Sequence, residues 1–306
     1  MDCFDHQGIV VDFSSQQILS LPSAIIRKET MINFRFIPVT PHPLLQPFIA
    51  KMWVFESDGR MPELEKKLIV PNANFKLAFG YCNGITSRIG DKAFVLVENE
   101  IRLSGLIDSP VILDCQVDAP TGTIGIEFNP LGAYRFFHLS YGEIKNQILA
   151  LADLIGNRAE DLQRQLADAN LVTRKLQLLQ NFLIKQLERT AADPIYDYCI
   201  NRIAASKGLV TVAQLEKETG YSSRWLHTKF SERLGTGPKN LSEIIRFGQF
   251  YQAFAAGSKL QNLKEQIYNH YHDQSHFLRA FKRFTGSTPT DLQNSLNELG
   301  TKAYRA

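Results

Sequence analysis

Cysteine is scarce in this sequence, and its distribution excludes one common kind of metal site. The cysteines are scattered without any CxxC pair, which argues against a zinc site and for reduced thiols that are buried or idle. The four residues are Cys3, Cys82, Cys115 and Cys199.

The signatures of catalysis are missing as well. The sequence contains no GxSxG elbow, no P-loop and no GxGxxG turn, so neither an activated serine nor a phosphate cradle is recognisable. The first 200 residues hold only three isolated histidines, His6, His42 and His138, whereas a catalytic metal needs clustered ligands. We therefore expect no enzyme activity, no metal and no cofactor.

Long apolar runs are also absent. No run approaches the roughly 18 to 20 residues that are needed to cross a bilayer. The first residues, MDCFDH, lack the basic and apolar regions of a signal peptide. These absences predict a cytoplasmic protein without a membrane partner.

The nearly balanced charge hides an uneven distribution. The whole chain has 34 Lys and Arg against 31 Asp and Glu, a net charge of +3. Residues 201–306 hold 15 basic and 8 acidic side chains, net +7, which leaves 19 and 23, net −4, for the first 200. A charge excess often marks only a solvated helix face, but a basic third also suits the phosphate backbone of DNA.

A pattern occurs twice in this basic third. GYSSRWLHTKFSERLGTGP at 220–238 and HYHDQSHFLRAFKRFTGSTP at 270–289 align at an offset of 51 residues. The matched pairs are Phe230 and Phe281, Gly235 and Gly286, and Pro238 and Pro289. Such a repeat indicates one supersecondary unit used twice, here a short helix, a tight turn and a second helix.

Capping residues and apolar stripes delimit the helices of both copies. The predicted caps are Thr211 with Gln214, Ser222, Asn262 with Glu265, and Asp273. The predicted buried stripes are Leu226, Phe230 and Leu234 in copy one and Phe277, Phe281 and Phe284 in copy two. Apolar residues at helical spacing from Leu241 to Ala255 predict a continuous helix that joins the copies.

The opposite face of each second helix is polar. Its residues are Ser223, Arg224, His227 and Thr228 in copy one and Gln274, Ser275, His276, Arg279, Lys282 and Arg283 in copy two. Side chains of these types can hydrogen-bond to base edges and phosphates, and have no role in an apolar core. They are the predicted DNA-binding residues.

The doubled pattern, the string DQSHFLRAFKRFTGSTP and the joining helix resemble the DNA-binding domain of the AraC/XylS family of bacterial transcription regulators, over residues 193–295. The resemblance implies two recognition helices in successive major grooves of double-stranded DNA. It implies that Lys282 and Arg283 lie nearer the phosphates than the other predicted residues. The sequence departs from the family at His270, where glycine is usual, and at Glu216, where a small alanine is usual.

The N-terminal half differs in pattern. Alternating or apolar runs at 75–81 and 124–128, with Gly and Asn between them, predict short strands. HPLLQPFIAKMWVFE and GTIGIEFNPLGAYRFF resemble an uncharacterised domain found before this DNA-binding module, over residues 38–170. The family resemblance implies a sensor or dimerisation domain, often a cupin-like β-barrel. Six aromatic residues either line a ligand pocket or form the core: Trp53, Phe55, Phe75, Phe79, Tyr81 and Phe128.

The expected architecture is α+β: an N-terminal arm (1–30), a β-rich domain (31–150), a helical connector (151–192) and an all-α domain with two helix-turn-helix motifs (193–306). The expected function is sequence-specific transcription regulation. The resemblance allows further partners: an unidentified small-molecule effector, a second copy of the chain and RNA polymerase. Two alternatives stay open, a DNA-targeted enzyme such as a cysteine-based methyl acceptor and a ligand-free regulator that binds a partner protein.

Overall fold

The computed structural model describes residues 34–59, 68–115, 119–255, 271 and 274–293, and its strands all lie before residue 151. They are β1 (Phe34–Pro38), β2 (Ile49–Ser57), β3 (Leu68–Ile69), β4 (Phe75–Cys82), β5 (Ile85–Ile89), β6 (Lys92–Leu96), β7 (Ile101–Ser104), β8 (Val111–Cys115), β9 (Thr121–Phe128) and β10 (Ile148–Ala150). They form a six-stranded sheet, in the order β1-β2-β9-β4-β7-β10, and a four-stranded sheet, in the order β3-β8-β5-β6.

The six-stranded sheet is covered on both faces, and the alternation of its strands separates the two. Leu77 of β4 and Ile126 of β9 are paired across the strands and belong to the main core. Their neighbours Lys76 and Glu127 point to the other face, across which the four-stranded sheet lies. The space between the two sheets is therefore separate from the main core.

Four helices follow or interrupt the sheets. They are α1 (Ala133–Phe136), α2 (Leu151–Ile155), α3 (Asn157–Asp168) and α4 (Val172–Leu187). Leu162 and Leu166 of α3 and Leu179 and Leu183 of α4 are buried in the same core as the sheet residues. The leucine stripe of this region thus packs on the sheet within one chain.

The C-terminal part is helical. Its helices are α5 (Pro194–Ala205), α6 (Val212–Thr219), α7 (Ser223–Leu234), α8 (Pro238–Ala255), α9 (Gln274–Thr285) and α10 (Pro289–Gln293). Thr211 and Gln214 form the predicted capping box, and Ser222 caps α7 by accepting a hydrogen bond from the Trp225 amide. The predicted joining helix is α8, which begins at Pro238.

Part of copy two lies outside the described residues. This applies to its predicted first helix, to the caps Asn262, Glu265 and Asp273, and to His270. The second helix of copy two, α9, is described and carries the predicted buried stripe of Phe277, Phe281 and Phe284.

One continuous core connects the sheets to the C-terminal helices. Tyr134 of α1 and Tyr196 of α5 are both buried, their ring centroids are 5.1 Å apart, and the Tyr134 hydroxyl donates to Asp197 Oδ1 at 2.5 Å. The predicted α+β class is confirmed, with a mainly β N-terminal part and a helical C-terminal part. None of the helices in the described part has the length and apolar character that crossing a bilayer requires.

The prediction of reduced thiols is wrong at one position, because Cys82 is disulfide-bonded. Cys115 and Cys199 are buried and form no disulfide, as expected. Scattered cysteines exclude a clustered metal site, but spacing along the chain does not decide whether two of them meet in the fold. Cys3 lies outside the described residues.

Candidate nucleic-acid interface

Copy one is a complete helix-turn-helix. Gly220 ends α6 in the left-handed conformation, with φ of 75°, and Ser222 caps the start of α7 two residues later. Glu216, the departure from the family pattern, accepts a hydrogen bond from the Ser223 amide at the first turn of α7. A carboxylate is favourable at a helix N-terminus, so Glu216 stabilises the turn.

The predicted reading face of α7 is presented to solvent. Ser223, Arg224, His227 and Thr228 are all exposed, whereas Leu226, Phe230 and Leu234 on the opposite face are fully buried. The apolar stripe therefore fixes the rotation of α7 about its axis and places the polar face outward.

The second recognition helix, α9, has the same division. Ser275, Arg279, Lys282 and Arg283 are exposed, and His276 is half-buried with its ring 5.4 Å from that of Tyr271. Gln274 begins the helix. The side chains of the two exposed basic residues Arg279 and Lys282 have no hydrogen-bond or ion-pair partner among the described residues.

Arg283 differs from its neighbours because its guanidinium is held by three acceptors. It donates to Asp108 Oδ2 and to Asn240 Oδ1, both at 2.8 Å, and to Glu243 Oε2 at 3.3 Å. Asp108 lies in the loop between β7 and β8, in the N-terminal part of the chain. The sequence predicts Arg283 as a DNA contact but does not indicate Asp108 as its partner.

An aromatic platform beside α7 is a feature that the sequence analysis missed. The rings of Tyr221 and Trp225 stack at 4.0 Å, and Lys229 Nζ lies 5.2 Å from the Trp225 ring centroid. Tyr221 directly precedes the cap Ser222, and Trp225 lies in the first turn of α7.

A second candidate site is a cavity of about 170 Å³ between the two sheets. Trp53 and Phe55 line it, whereas Phe75, Phe79, Tyr81 and Phe128 belong to the main core. The core interpretation thus holds for these four residues, and a ligand pocket at Trp53 and Phe55 stays a prediction.

The cavity has a charged end. Lys51 of β2, Glu127 of β9 and Lys76 of β4 lie in one cross-strand row. Glu127 Oε1 accepts hydrogen bonds from Asn72 Nδ2 at 2.8 Å and Asn74 Nδ2 at 2.6 Å. Burial lowers the pKa of Lys51, with Glu127 opposing that shift and Lys76 adding to it. The row carries two ammonium groups against one carboxylate, and Arg102 and Asp114 also line the cavity.

Nothing in the described residues resembles a metal centre, since no three His, Cys, Asp or Glu side chains converge. Cys199 is fully buried, and burial raises the pKa of its thiol to about 11, with Glu218 and Asp193 adding to the shift. A nucleophilic cysteine needs a lowered pKa and an accessible sulfur. Cys199 has neither property.

Two family models match the chain. Residues 215–295 match a helix-turn-helix domain, and residues 38–150 match a domain of unknown function, DUF6597. The helix-turn-helix match gives the class of the protein, a DNA-binding transcription regulator. Within that class, the C-terminal domain is of the AraC type, which confirms the resemblance to AraC/XylS regulators.

Three solved structures illustrate what the chain is similar to. ToxT from Vibrio cholerae is 14% identical, with 80% of this chain and 98% of that chain covered and a TM-score of 0.43. The AraC-like transcriptional activator CuxR is 16% identical over 81% and 90%, with a TM-score of 0.29. The cupin domain of Schizosaccharomyces pombe Cnp3 is 9% identical over 33% and 69%, with a TM-score of 0.26.

Each of these TM-scores is below 0.5, so none of the structures assigns a function to this chain. The curated proteins include no significant match.

Proposed function

We propose that this regulator reads DNA with α7 and α9 in successive major grooves, and that the cavity between its sheets binds a small-molecule effector. One observation carries the proposal of DNA reading. Both helices expose a polar face, and their apolar faces are buried in the core. The helix α8 follows α7 and runs from Pro238 to Ala255. Two recognition helices on one side of B-DNA must be spaced by one turn of the DNA, roughly 34 Å. A rigid connecting helix can fix that spacing.

Within α9, the proposed roles of the basic residues differ. Arg279 is the proposed base reader, together with Ser275, His276 and Gln274, whereas Lys282 is a proposed phosphate contact. In copy one, Arg224, His227 and Thr228 are the proposed base readers, with Ser223 at the start of α7. An arginine fits the O6 and N7 acceptors of guanine with two hydrogen bonds, and a lysine near the groove wall neutralises phosphate.

Replacing Arg279 by alanine should relax the base preference at one position of the binding site. The loss should be about 1–3 kcal/mol for the selected site and much less for unrelated DNA, because one bidentate base contact disappears. Lys282→Ala should instead weaken all sequences alike and lower the salt-dependence slope by about one. Binding titrations at several salt concentrations, with a site first selected from random duplexes, measure both effects.

Arg164→Ala is the matched control, since that arginine is exposed on α3 in the N-terminal part. It should leave both affinities unchanged. Equal weakening of site and non-site DNA by Arg279→Ala would refute the base-reading role. A phosphate contact for Arg279 is the main alternative, because phosphate contacts outnumber base contacts in such interfaces.

The effector proposal is supported by the shape and charge of the cavity. Apolar walls with a few polar groups at one end are typical of small-molecule sites. The Lys51 and Lys76 row favours a ligand with an apolar body and an anionic end. Thermal-shift screening of such compounds tests the proposal, because a ligand of the native state raises the melting temperature.

Ala78→Leu is the control for that screen. Ala78 lines the cavity, so the larger side chain should occupy the ligand space and abolish the shift. A compound that stabilises both proteins equally binds elsewhere.

A homodimer, contact with RNA polymerase and the four-part domain division stay predictions.

Alkylation of the cysteines tests the enzyme alternative. Burial raises the pKa of Cys199 to about 11, so its thiol is protonated at neutral pH, and its sulfur is buried. Iodoacetamide at neutral pH should therefore modify Cys199 far more slowly in the folded chain than in urea, as located by mass spectrometry. Rapid modification of the folded protein at any cysteine would favour the methyl-acceptor alternative.

A further inference from the structure

The N-terminal part contacts the C-terminal ends of both recognition helices. Gly235 ends α7, and a Cβ atom there would lie 2.5 Å from the Tyr141 carbonyl oxygen. Gly286, its equivalent in the doubled pattern, follows α9, and a Cβ atom there would lie 3.5 Å from Pro110 Cγ. The same position of both copies therefore packs against the N-terminal part.

The two contacting segments form one unit, residues 105–110 and 141–147, which we call the brace. The Asp108 amide donates to Asn146 Oδ1 at 3.0 Å, and Asn146 Nδ2 donates to Asp108 Oδ1 at 2.9 Å. Backbone bonds from Asn146 to Leu106 and from Gly105 to Gln147 add to these. The brace is thus stiff where it meets the recognition helices.

Asp108 is the charged group of the brace that reaches α9. Its side chain is 9% exposed and pairs with Lys145 Nζ and with Arg283, each at 2.8 Å. Burial tends to raise the pKa of this carboxyl, but hydrogen bonds from Lys145 and Asn146 and the charges of Lys145 and Arg283 outweigh it and lower the pKa. The carboxylate is therefore ionised at neutral pH.

Arg283 is placed where it can exchange partners. Its side chain is 43% exposed, and its other acceptors, Asn240 and Glu243, belong to α8. A DNA phosphate that approached α9 would meet the Asp108 and Glu243 carboxylates beside the guanidinium. Asp108, Asn240 and Glu243 use three of the five N–H donors of the guanidinium, so a phosphate would compete with these acceptors for Arg283.

We propose that Asp108 restrains Arg283 and thereby lowers the affinity of the chain for DNA, as a built-in autoinhibitory contact between the brace and the second recognition helix. The proposal rests on the proposed DNA-reading function. It gives the N-terminal part a direct effect on binding without any base contact. Ile107 and Ser109, on either side of Asp108, line the cavity, so an occupant of the cavity would touch the restraining loop.

The test compares full-length variants on a random-sequence duplex and on a duplex selected by the wild type. Asp108→Asn should bind both about three- to ten-fold more tightly, because phosphate no longer competes with the carboxylate. The salt dependence of its DNA affinity should be steeper by up to about one. When Arg283 of the wild type moves to a phosphate, the released Asp108 carboxylate takes up a cation from solution, and Asp108→Asn has no such carboxylate. In an Arg283→Ala background, Asp108→Asn should change nothing.

Asp161→Asn is the charge-matched control, because Asp161 is an exposed carboxylate on α3 that pairs with Arg164. It should change the affinity by less than about two-fold. If Asp108→Asn does not fold in a thermal melt, Glu243→Gln removes another acceptor of Arg283 and should give a smaller gain. Unchanged or weaker binding by the folded variant, or an equal gain without Arg283, would overturn the restraint.

The outcomes also separate this proposal from the proposed function. Binding by the wild type with no gain in Asp108→Asn contradicts the restraint alone. Binding by Asp108→Asn but not by the wild type supports both proposals. If neither the wild type nor any folded variant binds a duplex, both the restraint and the proposed DNA-reading function are overturned.

Discussion

Replacing Phe281 by alanine should lower the free energy of unfolding by about 3–5 kcal/mol, the usual cost of deleting a buried aromatic side chain. Phe281 is fully buried on α9, and its ring contacts four others. The centroid distances are 5.7 Å to Phe247, 6.0 Å to Phe250, 5.8 Å to Phe254 and 5.8 Å to Phe277. Loss of the Phe281 ring would remove contacts that hold the second recognition helix on α8 and would leave a cavity in their place. Urea denaturation followed by circular dichroism measures the change.

Leu278→Ala on the same helix is the control for Phe281→Ala. Leu278 is 41% exposed, so its truncation should cost well under 1 kcal/mol. DNA binding should be lost with Phe281→Ala through unfolding and kept with Leu278→Ala. Similar costs for the two variants would mean that the aromatic cluster does not anchor α9.

The first helix-turn-helix could be predicted from the sequence because local chemistry determines it. The Thr211 and Gln214 capping box, the left-handed Gly220 and the Ser222 cap involve residues within a few positions of one another. The buried stripe of α7 follows from helical spacing alone. These signals need no knowledge of the rest of the fold.

The division of the aromatic residues between core and cavity was not predictable from composition. Both faces of the six-stranded sheet are covered, so Phe55 and Phe75 are each buried although they face opposite ways. The sequence does alternate polar and apolar residues in these two strands, with Lys76 beside Leu77 and Glu127 beside Ile126. Only the cross-strand register shows that these charged residues form a row at one end of the cavity.

The partner of Arg283 was beyond sequence reasoning for a different reason. Asp108 lies 175 residues earlier in the chain, and nothing local marks it as a contact. The predicted polar face of α9 is a property of one helix, whereas the restraint depends on how that helix docks on the N-terminal part. Tertiary packing therefore changes the role of a residue that the helix pattern identifies.

The second large effect should come from Gly235→Ala, which should lower the free energy of unfolding by about 2–4 kcal/mol. One part of this cost is conformational, because Gly235 has φ of 80° and side chains with a Cβ atom are strained there. The other part is steric. The new methyl group would lie 2.5 Å from the Tyr141 carbonyl oxygen, in a backbone segment whose Tyr141 amide donates to the Glu232 carbonyl of α7 at 3.0 Å.

Gly220→Ala isolates the conformational part of that cost. Gly220 has φ of 75°, nearly the same as Gly235, but nothing lies within 4 Å of its Cβ position. Its replacement should cost only about 1 kcal/mol, as for alanine in a left-handed helix end. Because the two glycines end successive helices of one motif, the difference in urea denaturation between the variants measures the contact with the brace. Equal losses would show that the brace does not press on α7, whereas a larger loss for Gly235→Ala would establish that the N-terminal part fixes the end of the first recognition helix.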